Sequence, residues 1–457
     1  MIRAFGHALG LLLAALVLWA PLPFASVTPA PARALMVASW IALGIALVAC
    51  TSLDQLRPIR GPALALGLLG CLGLLQSIEL PRAVVESISP RHVEVYQQAD
   101  AVLPEAELRP TLSLAPPASL ATAGSLFSAA ALLMAAAAAG GDRARRRLLA
   151  VSVALAALFQ IVYGARHLLA GATRIWGIEV PNLATRLRGT YVNPNHMALL
   201  LEMALAVSLA WLWWGLQRHR RRVSVETRTM VVLLAALLWV GCAAALVATG
   251  SRAGMLAALT ATAAQCLWVP AGAAQRRWQL AGGAVLVAGL LALVPWILRS
   301  APAGAVAASG EVSLGSRLEA YRSSLGLVPE YPLLGTGLGT FQEIFPVVQP
   351  ASLAPGVWRH AHNDWLELLI TGGVVGFAVL VAGVWLLGRR LTEVRARGRR
   401  SEDRAAALAA LGALVAVGLH ELLDFGLTMP ANVVILCVVL GAAAGARTDP
   451  GPVSRST

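Results

Sequence analysis

The sequence predicts an all-α polytopic integral membrane protein with about 12 transmembrane helices and a large outer loop containing short helices. Three observations predict it. Hydrophobic residues make up 58% of the 457 and charged residues 13%, whereas about a quarter of a soluble domain is charged. Apolar runs recur along the whole chain, and at about 1.5 Å per residue each can cross a hydrocarbon core of about 30 Å. The runs are continuous Ala, Leu and Val, not the alternating segments of about ten residues that build a membrane β-barrel.

Taken in order, the runs and their breaks give spans near 7–26, 34–53, 62–79, 119–140, 148–169, 195–215, 230–249, 253–270, 279–298, 363–388, 405–423 and 429–446. The first resembles a secretory signal, with small residues near Ala32 to Ala34. Pro21 and Pro23 end its apolar core too far from that site, so it reads as a retained span. Arginine sets the orientation, since inner loops are the basic ones. With the N-terminus inside, the inner segments hold Arg57, Arg60, the runs 143–147 and 218–222, Arg276, Arg277 and the run 389–400. With Arg228, Arg404 and the termini counted, the inner side carries 23 of the 36 arginines, although the outer loops are much longer. Both termini then lie inside.

The organisation follows: helices 1–4 with an outer loop at 80–118 (residues 1–150), helices 5–9 (151–298), a large outer loop (299–362), and helices 10–12 with an inner tail (363–457). The loop at 299–362 carries an amphipathic helix in "GSRLEAYRSSLGLVPEYP". The formal charge of +13 comes entirely from Arg. In such a chain it reads as inner loops meeting anionic lipid, with no nucleic-acid partner. Cys50, Cys71, Cys242, Cys266 and Cys437 sit singly inside or at the edge of apolar runs, without metal-ligand spacing, and read as small buried hydrophobes.

Polar residues gather on the outer side of this topology. "TGSRAG" (249–254) is a tight turn between two apolar helices with Arg252 in its middle. Arg252 either snorkels to lipid phosphate or presents a fixed guanidinium to an anionic ligand. "RLRGTYVNPNH" brings Arg186 and Arg188 beside an Asn-Pro-Asn turn in which Asn193 or Asn195 caps the next helix. Helix N-termini favour anions, so two Arg-bearing turns and a helix entrance at one depth suit a diphosphate. "RHAHNDW" sets His360, His362, Asn363 and Asp364 at the mouth of span ten. His362 is either a cap or a general base, and Asn363 and Asp364 either orient it or cap the helix. His420, Glu421 and Asp424 are ionisable groups at the end of span eleven, with either a functional or a structural role. Arg317, in the amphipathic segment, is a further candidate contact for substrate.

These segments resemble the O-antigen ligase/O-antigen polymerase superfamily of bacterial envelope glycosyltransferases. The ligase pattern is His, then Asn, Ser or Gln, nine residues, Gly, two residues, then Gly, Thr or Tyr. Here it reads His362, Asn363, then Gly373 and Gly376. "GSRAG" looks like the superfamily's Ser-Arg turn, and "GTYVNPNHMALLLEM" and "PLLGTGLGTF" look like superfamily segments, so the likeness covers roughly 150–430. The resemblance implies metal-independent, inverting glycan transfer, without a cofactor, at the periplasmic face of the bacterial inner membrane. The donor would be an undecaprenyl-diphosphate-linked glycan, and the acceptor lipid A core (ligase) or another carrier-linked glycan (polymerase); some superfamily members modify proteins. Carried over by position, His362 matches the catalytic histidine, Arg252 the arginine of the Ser-Arg turn, and Arg188 the second essential arginine, with Arg186 its competitor. Arg186, Asn195, His360, Asn363, Asp364, Asp424, His420 and Arg317 are then expected to contact substrate. From another class, a lipid-linked-substrate transporter would also need many spans and buried arginine, and would show helix breaks near mid-membrane.

Overall fold

The computed structural model describes residues 2–50, 52–102, 109–180, 183–216, 224–269, 276–277, 312–354 and 356–448. Among them the chain is an all-α polytopic membrane protein whose only strands are a short antiparallel pair, β1 (Arg174–Ile175) and β2 (Ile178–Glu179). The long helices are α1 (Ile2–Trp19), α2 (Pro29–Ala49), α3 (Arg60–Gln76), α6 (Pro116–Gly140), α7 (Arg143–Leu169), α8 (Pro194–Leu216), α9 (Val225–Thr249), α10 (Arg252–Trp268), α13 (Asp364–Arg397), α14 (Ser401–His420) and α15 (Pro430–Ala444). Among the described residues nine spans are long and apolar enough to cross a membrane, α3 counting together with the turn from Asp54 before it; α10 and α15 are shorter. Each matches an expected span, and the expected span at 279–298 lies outside the described residues.

Between them lie α4 (Arg82–Ile88) and α5 (Pro90–Val102), then α11 (Leu314–Leu325) and α12 (Phe341–Val348). The segment after residue 80, legible in sequence only as polar and Pro-broken, therefore contains two helices, with Pro90 at the start of the second. Helix α11 is the expected amphipathic segment, capped by Ser313, whose Oγ accepts the Ser316 amide.

Helix α8 is the axis of the bundle. Nearly every residue from Pro194 to Ser208 is buried, and it packs on α9, α10 and α14. Helices α2 and α9 sit at the edge and turn Val37, Trp40, Ile41, Leu233, Leu237 and Val240 outward, as a lipid-facing belt would. Small residues let α6 and α15 touch backbone to backbone. A Cβ on Gly441 or Gly445 would lie 2.6 Å from the Leu133 carbonyl oxygen or 1.9 Å from that of Ala137. Contact between small residues is how apolar helices associate where lipid removes the hydrophobic drive.

The apolar run after Asp364 reads as one continuous span, and the fold corrects this. Helix α13 is broken at Gly373 (φ 63°, ψ −172°), and the segment 332–339 enters the break. The Thr336 and Gly337 amides donate to the carbonyls of Ile370 and Thr371, each at 3.0 Å. In return Val374 donates to Pro332 at 2.9 Å and Val375 to Leu333 at 3.2 Å. Fully buried Gln76 locks the joint from α3. Its Nε2 donates to Thr371 O at 3.0 Å, and its Oε1 accepts the Leu338 amide at 2.9 Å. Two carbonyls and two amides beside the break thus find partners inside protein, the condition for irregular backbone at membrane depth.

Candidate active site

At one end of the bundle, the turn between α9 and α10, the entrances of α8, α13 and α15 and the exit of α14 meet. Helix α9 ends on Gly250 in the left-handed conformation, and Ser251 caps α10 by accepting the Gly254 amide at 3.2 Å. Arg252 is the first residue of α10 and is partly buried. The segment before α8 docks on this turn, with the Leu187 amide donating to Ala248 O at 3.0 Å. Arg186 donates from Nε to Thr249 O and from Nη2 to Asn195 Oδ1 at 3.1 Å. Arg188 is nearly buried and donates to Val192 O at 3.0 Å. Asn193 accepts the Asn195 amide at 2.9 Å, so Asn193 caps α8 and Asn195 is left to Arg186.

The arginines share one electrostatic neighbourhood. Burial, and then the positive charges of Arg188 and Arg317, pull Arg186 down to about 10, with Asp424 opposing and Arg252 adding to the repulsion. The positive charges of Arg188, Arg317 and Arg252 thus act on Arg186 as like charges, and an anion placed among them is favoured.

His362 sits just before α13 with φ +56°, a left-handed backbone that costs a non-glycine residue about 1–2 kcal/mol. It is held there by the Tyr321 hydroxyl, which donates to its carbonyl, and by Asn363, which caps α13 by accepting the Leu366 amide at 3.0 Å. Its Nδ1 faces Asp424 Oδ1 at 3.9 Å. Burial and then Arg317 push the imidazole down from 6.5 to about 3, which keeps it neutral. Asp424 is fully buried and faces His196 at 3.7 Å and Arg317 and His420 at 3.9 Å. Burial pushes its carboxyl up, but His196, His420 and Arg317 together hold it well below the ordinary carboxylate range. His420 is fully buried and binds Glu202 through Nδ1 at 2.6 Å.

The expected residues therefore fall into two joined groups. Arg186, Arg188, Arg252 and Asn195 form a cationic side, and His362, Asp424, His420 and Arg317 form an imidazole–carboxylate side; Arg317 and Asp424 reach both. His360 is turned to Glu367 at 3.1 Å, and Asp364 joins α13 to the end of α14 through its amide on Glu421 O at 2.9 Å. Asn363 acts through its cap.

Several participants carried no expected role. Phe425 stands among three imidazoles, 4.6 Å from His360 and from His362 and 4.7 Å from His196, centroid to centroid. Glu202 was visible as a lone acid inside an apolar span, a functional candidate by default. His196 was visible only as part of the Asn-Pro-Asn-His entrance.

Two cavities open here. A cleft of about 410 Å³ is bordered by Val312, Ser352, Trp358, His360, His362 and Phe425. An apolar groove of about 510 Å³ runs from His360 and Glu367 between α2, α6, α13 and α15, past Met36, Leu126, Leu132 and Val434. It opens on the flank of the bundle at Ala121 and Ser125, both exposed. His360 borders both cavities.

The sequence model of the family described as O-antigen ligase matches residues 237–381, a stretch that runs from α9 into α13 and includes Arg252, Arg317 and His362. The match supports the resemblance to the O-antigen ligase/polymerase superfamily, and with it a glycan-transferring activity that uses lipid-linked substrates. A search of curated proteins finds no match.

Proposed function

We propose that this chain is a glycosyltransferase of the bacterial inner membrane, working at its periplasmic face. It moves a glycan from a polyprenyl-diphosphate carrier to an acceptor hydroxyl, with lipid A core as the acceptor, by an inverting, metal-independent route. One observation carries the reading: Arg186, within the field of Arg188, Arg252 and Arg317, lies at the same end of the bundle as a neutral His362 backed by Asp424.

The chemistry follows from that pairing. A glycosyl diphosphate is already activated, and negative charge grows on the diphosphate as the anomeric C–O bond breaks. Guanidinium donors fixed in advance stabilise that charge most at the transition state. Arg186 and Arg252 hold the diphosphate, with Arg188 behind them and Arg317 between them and the base. The acceptor enters the cleft beside Trp358, its hydroxyl proton passes to His362, and the oxygen attacks the anomeric carbon from the side opposite the diphosphate. Nδ1 of His362 is turned to Asp424, which leaves Nε2 to take the proton. A base held near 3 is weak. The bound diphosphate supplies the negative charge that raises it, so basicity arrives with the substrate. The groove beginning at His360 takes the isoprenoid chain.

The broken α13 is a feature expected of transporters. Here the break is closed by 332–339 and Gln76 instead of lining a vacant passage, which argues for transfer. The test is purified protein with a polyprenyl-diphosphate glycan and either lipid A core or further donor. One glycan added to core marks a ligase, a ladder on the carrier marks a polymerase, and no product with either from folded protein overturns both of these and favours transport or another acceptor. His362→Ala should cut turnover by about 10²–10⁴ in protein that still inserts; unchanged turnover removes it as the base.

A further inference from the structure

Four of the eight histidines lie at this site, and His420 is one that the transfer mechanism does not use. His420 is fully buried at the end of α14, with Glu202 of α8 on one ring nitrogen at 2.6 Å and Asp424 facing the other at 3.9 Å. Glu202 is itself fully enclosed, and a Cβ on Gly254 of the Ser-Arg turn would lie 2.7 Å from its Oε1. A carboxylate buried this deeply is costly unless paired. Asp424 alone stands between the Glu202–His420 pair and the base, 3.9 Å from His420 and 3.9 Å from His362.

We infer that Glu202 and His420 are positioning residues for the transfer reaction, a buried charge relay that holds Asp424 against His362 and sets how strongly its carboxylate acts on that imidazole. With a carboxylate facing each ring nitrogen, Glu202 at 2.6 Å and Asp424 at 3.9 Å, His420 is placed to carry a positive charge between two acids. Glu202 offsets that charge. What reaches His362 is the Asp424 carboxylate with its neighbour's charge compensated. The groups facing the chain from the other elements are His196 of α8, Arg317 of α11, His360 before α13 and Glu421 at the end of α14. No bond is made or broken in the relay; it acts through charge and orientation alone.

The inference rests on His362 being the base, and it predicts opposite signs for two variants. In Glu202→Gln the His420 charge is no longer offset. It weakens the pull of Asp424, so the acid limb of kcat moves to lower pH by about one unit, and kcat falls about tenfold. In His420→Gln the positive charge itself is gone, so the limb moves to higher pH. Glu202→Asp keeps the carboxylate and returns the limb toward its native position. The KM for the polyprenyl-diphosphate glycan stays within about twofold in all three, because none of these residues holds the donor. Variants are compared by size-exclusion profile and thermal stability in detergent before assay, and if one does not fold the other still carries the sign. Limbs that stay in place, or move the same way in both glutamine variants, overturn the relay. If His362→Ala retains full turnover, the base assignment itself falls, which is a different failure from an unmoved limb with an inactive His362→Ala.

Discussion

Replacing Gly373 by Ala tests the joint that sets the start of α13 and therefore the position of His362. Two costs can be read from the structure. The backbone at φ 63°, ψ −172° is a conformation that is essentially reserved for glycine and costs another residue about 1–3 kcal/mol. A Cβ there would also lie 2.3 Å from Leu333 O and 2.6 Å from the Gly335 amide nitrogen. Both are backbone atoms, which cannot swing aside as a side chain would, and overpacking of this kind costs about another 1–3 kcal/mol. Together the loss is about 2–6 kcal/mol. Gly67, inside α3 with nothing within 4 Å of its Cβ position, is the control. Gly67→Ala should be neutral or gain about 0.5–1 kcal/mol from helix propensity. Thermal unfolding in detergent, followed by size exclusion, compares the two. Gly373→Ala should melt several degrees below the parent, and transfer activity should fall because the segment carrying His362 is displaced. Equal melting of Gly373→Ala and Gly67→Ala would refute the account of the break.

Further predictions concern the charges and the groove. Arg186→Ala should weaken transfer more than Arg188→Ala, because Arg186 contacts the α9–α10 turn and Asn195 while Arg188 bonds within its own loop; initial rates against donor concentration decide it. Folding favours the neutral form of His362, whose value falls from 6.5 to about 3. Its stabilising contribution is therefore complete above about 6.5 and lost as pH falls toward 3. His362→Gln should flatten the acid side of a plot of melting temperature against pH. The bound diphosphate raises the same group, so the acid limb of kcat should lie at higher pH than that of kcat/KM, measured with one donor across pH. Ser125→Trp, at the exposed mouth of the groove, should raise KM for a long-chain carrier more than for a short-chain analogue.

Much of this was legible in the sequence. Long apolar runs have one way to satisfy their backbone in lipid, so the helices fall where hydropathy sets them. The segments 143–147 and 400–404, both expected on one side of the membrane, do share one end, where Arg146 pairs with Asp403 and Arg143 with Glu402. Polar residues against apolar runs marked the other end, and Arg186, Arg252, His362 and Asp424 do share it. The break at Gly373 was not legible. A glycine pair inside a greasy run looks like tolerated small residues, and what makes the kink is a segment some 35 residues earlier in the chain. Glu202 was not assigned for a similar reason: its partner lies 218 residues away, and nothing local says which of the lone acids in a span will find one. The resemblance put Arg188 ahead of Arg186, whereas only the fold shows that it is Arg186 which reaches the α9–α10 turn.

The groove between α2, α6, α13 and α15 includes Ala121 and Ser125, two exposed residues of the apolar helix α6. For a carrier that enters by that flank, supply is a matter of surface density within one leaflet, and encounter is a search in two dimensions. Dilution of the bulk solution would leave the rate unchanged, whereas diluting the carrier with other lipid, or stiffening the bilayer, would slow it.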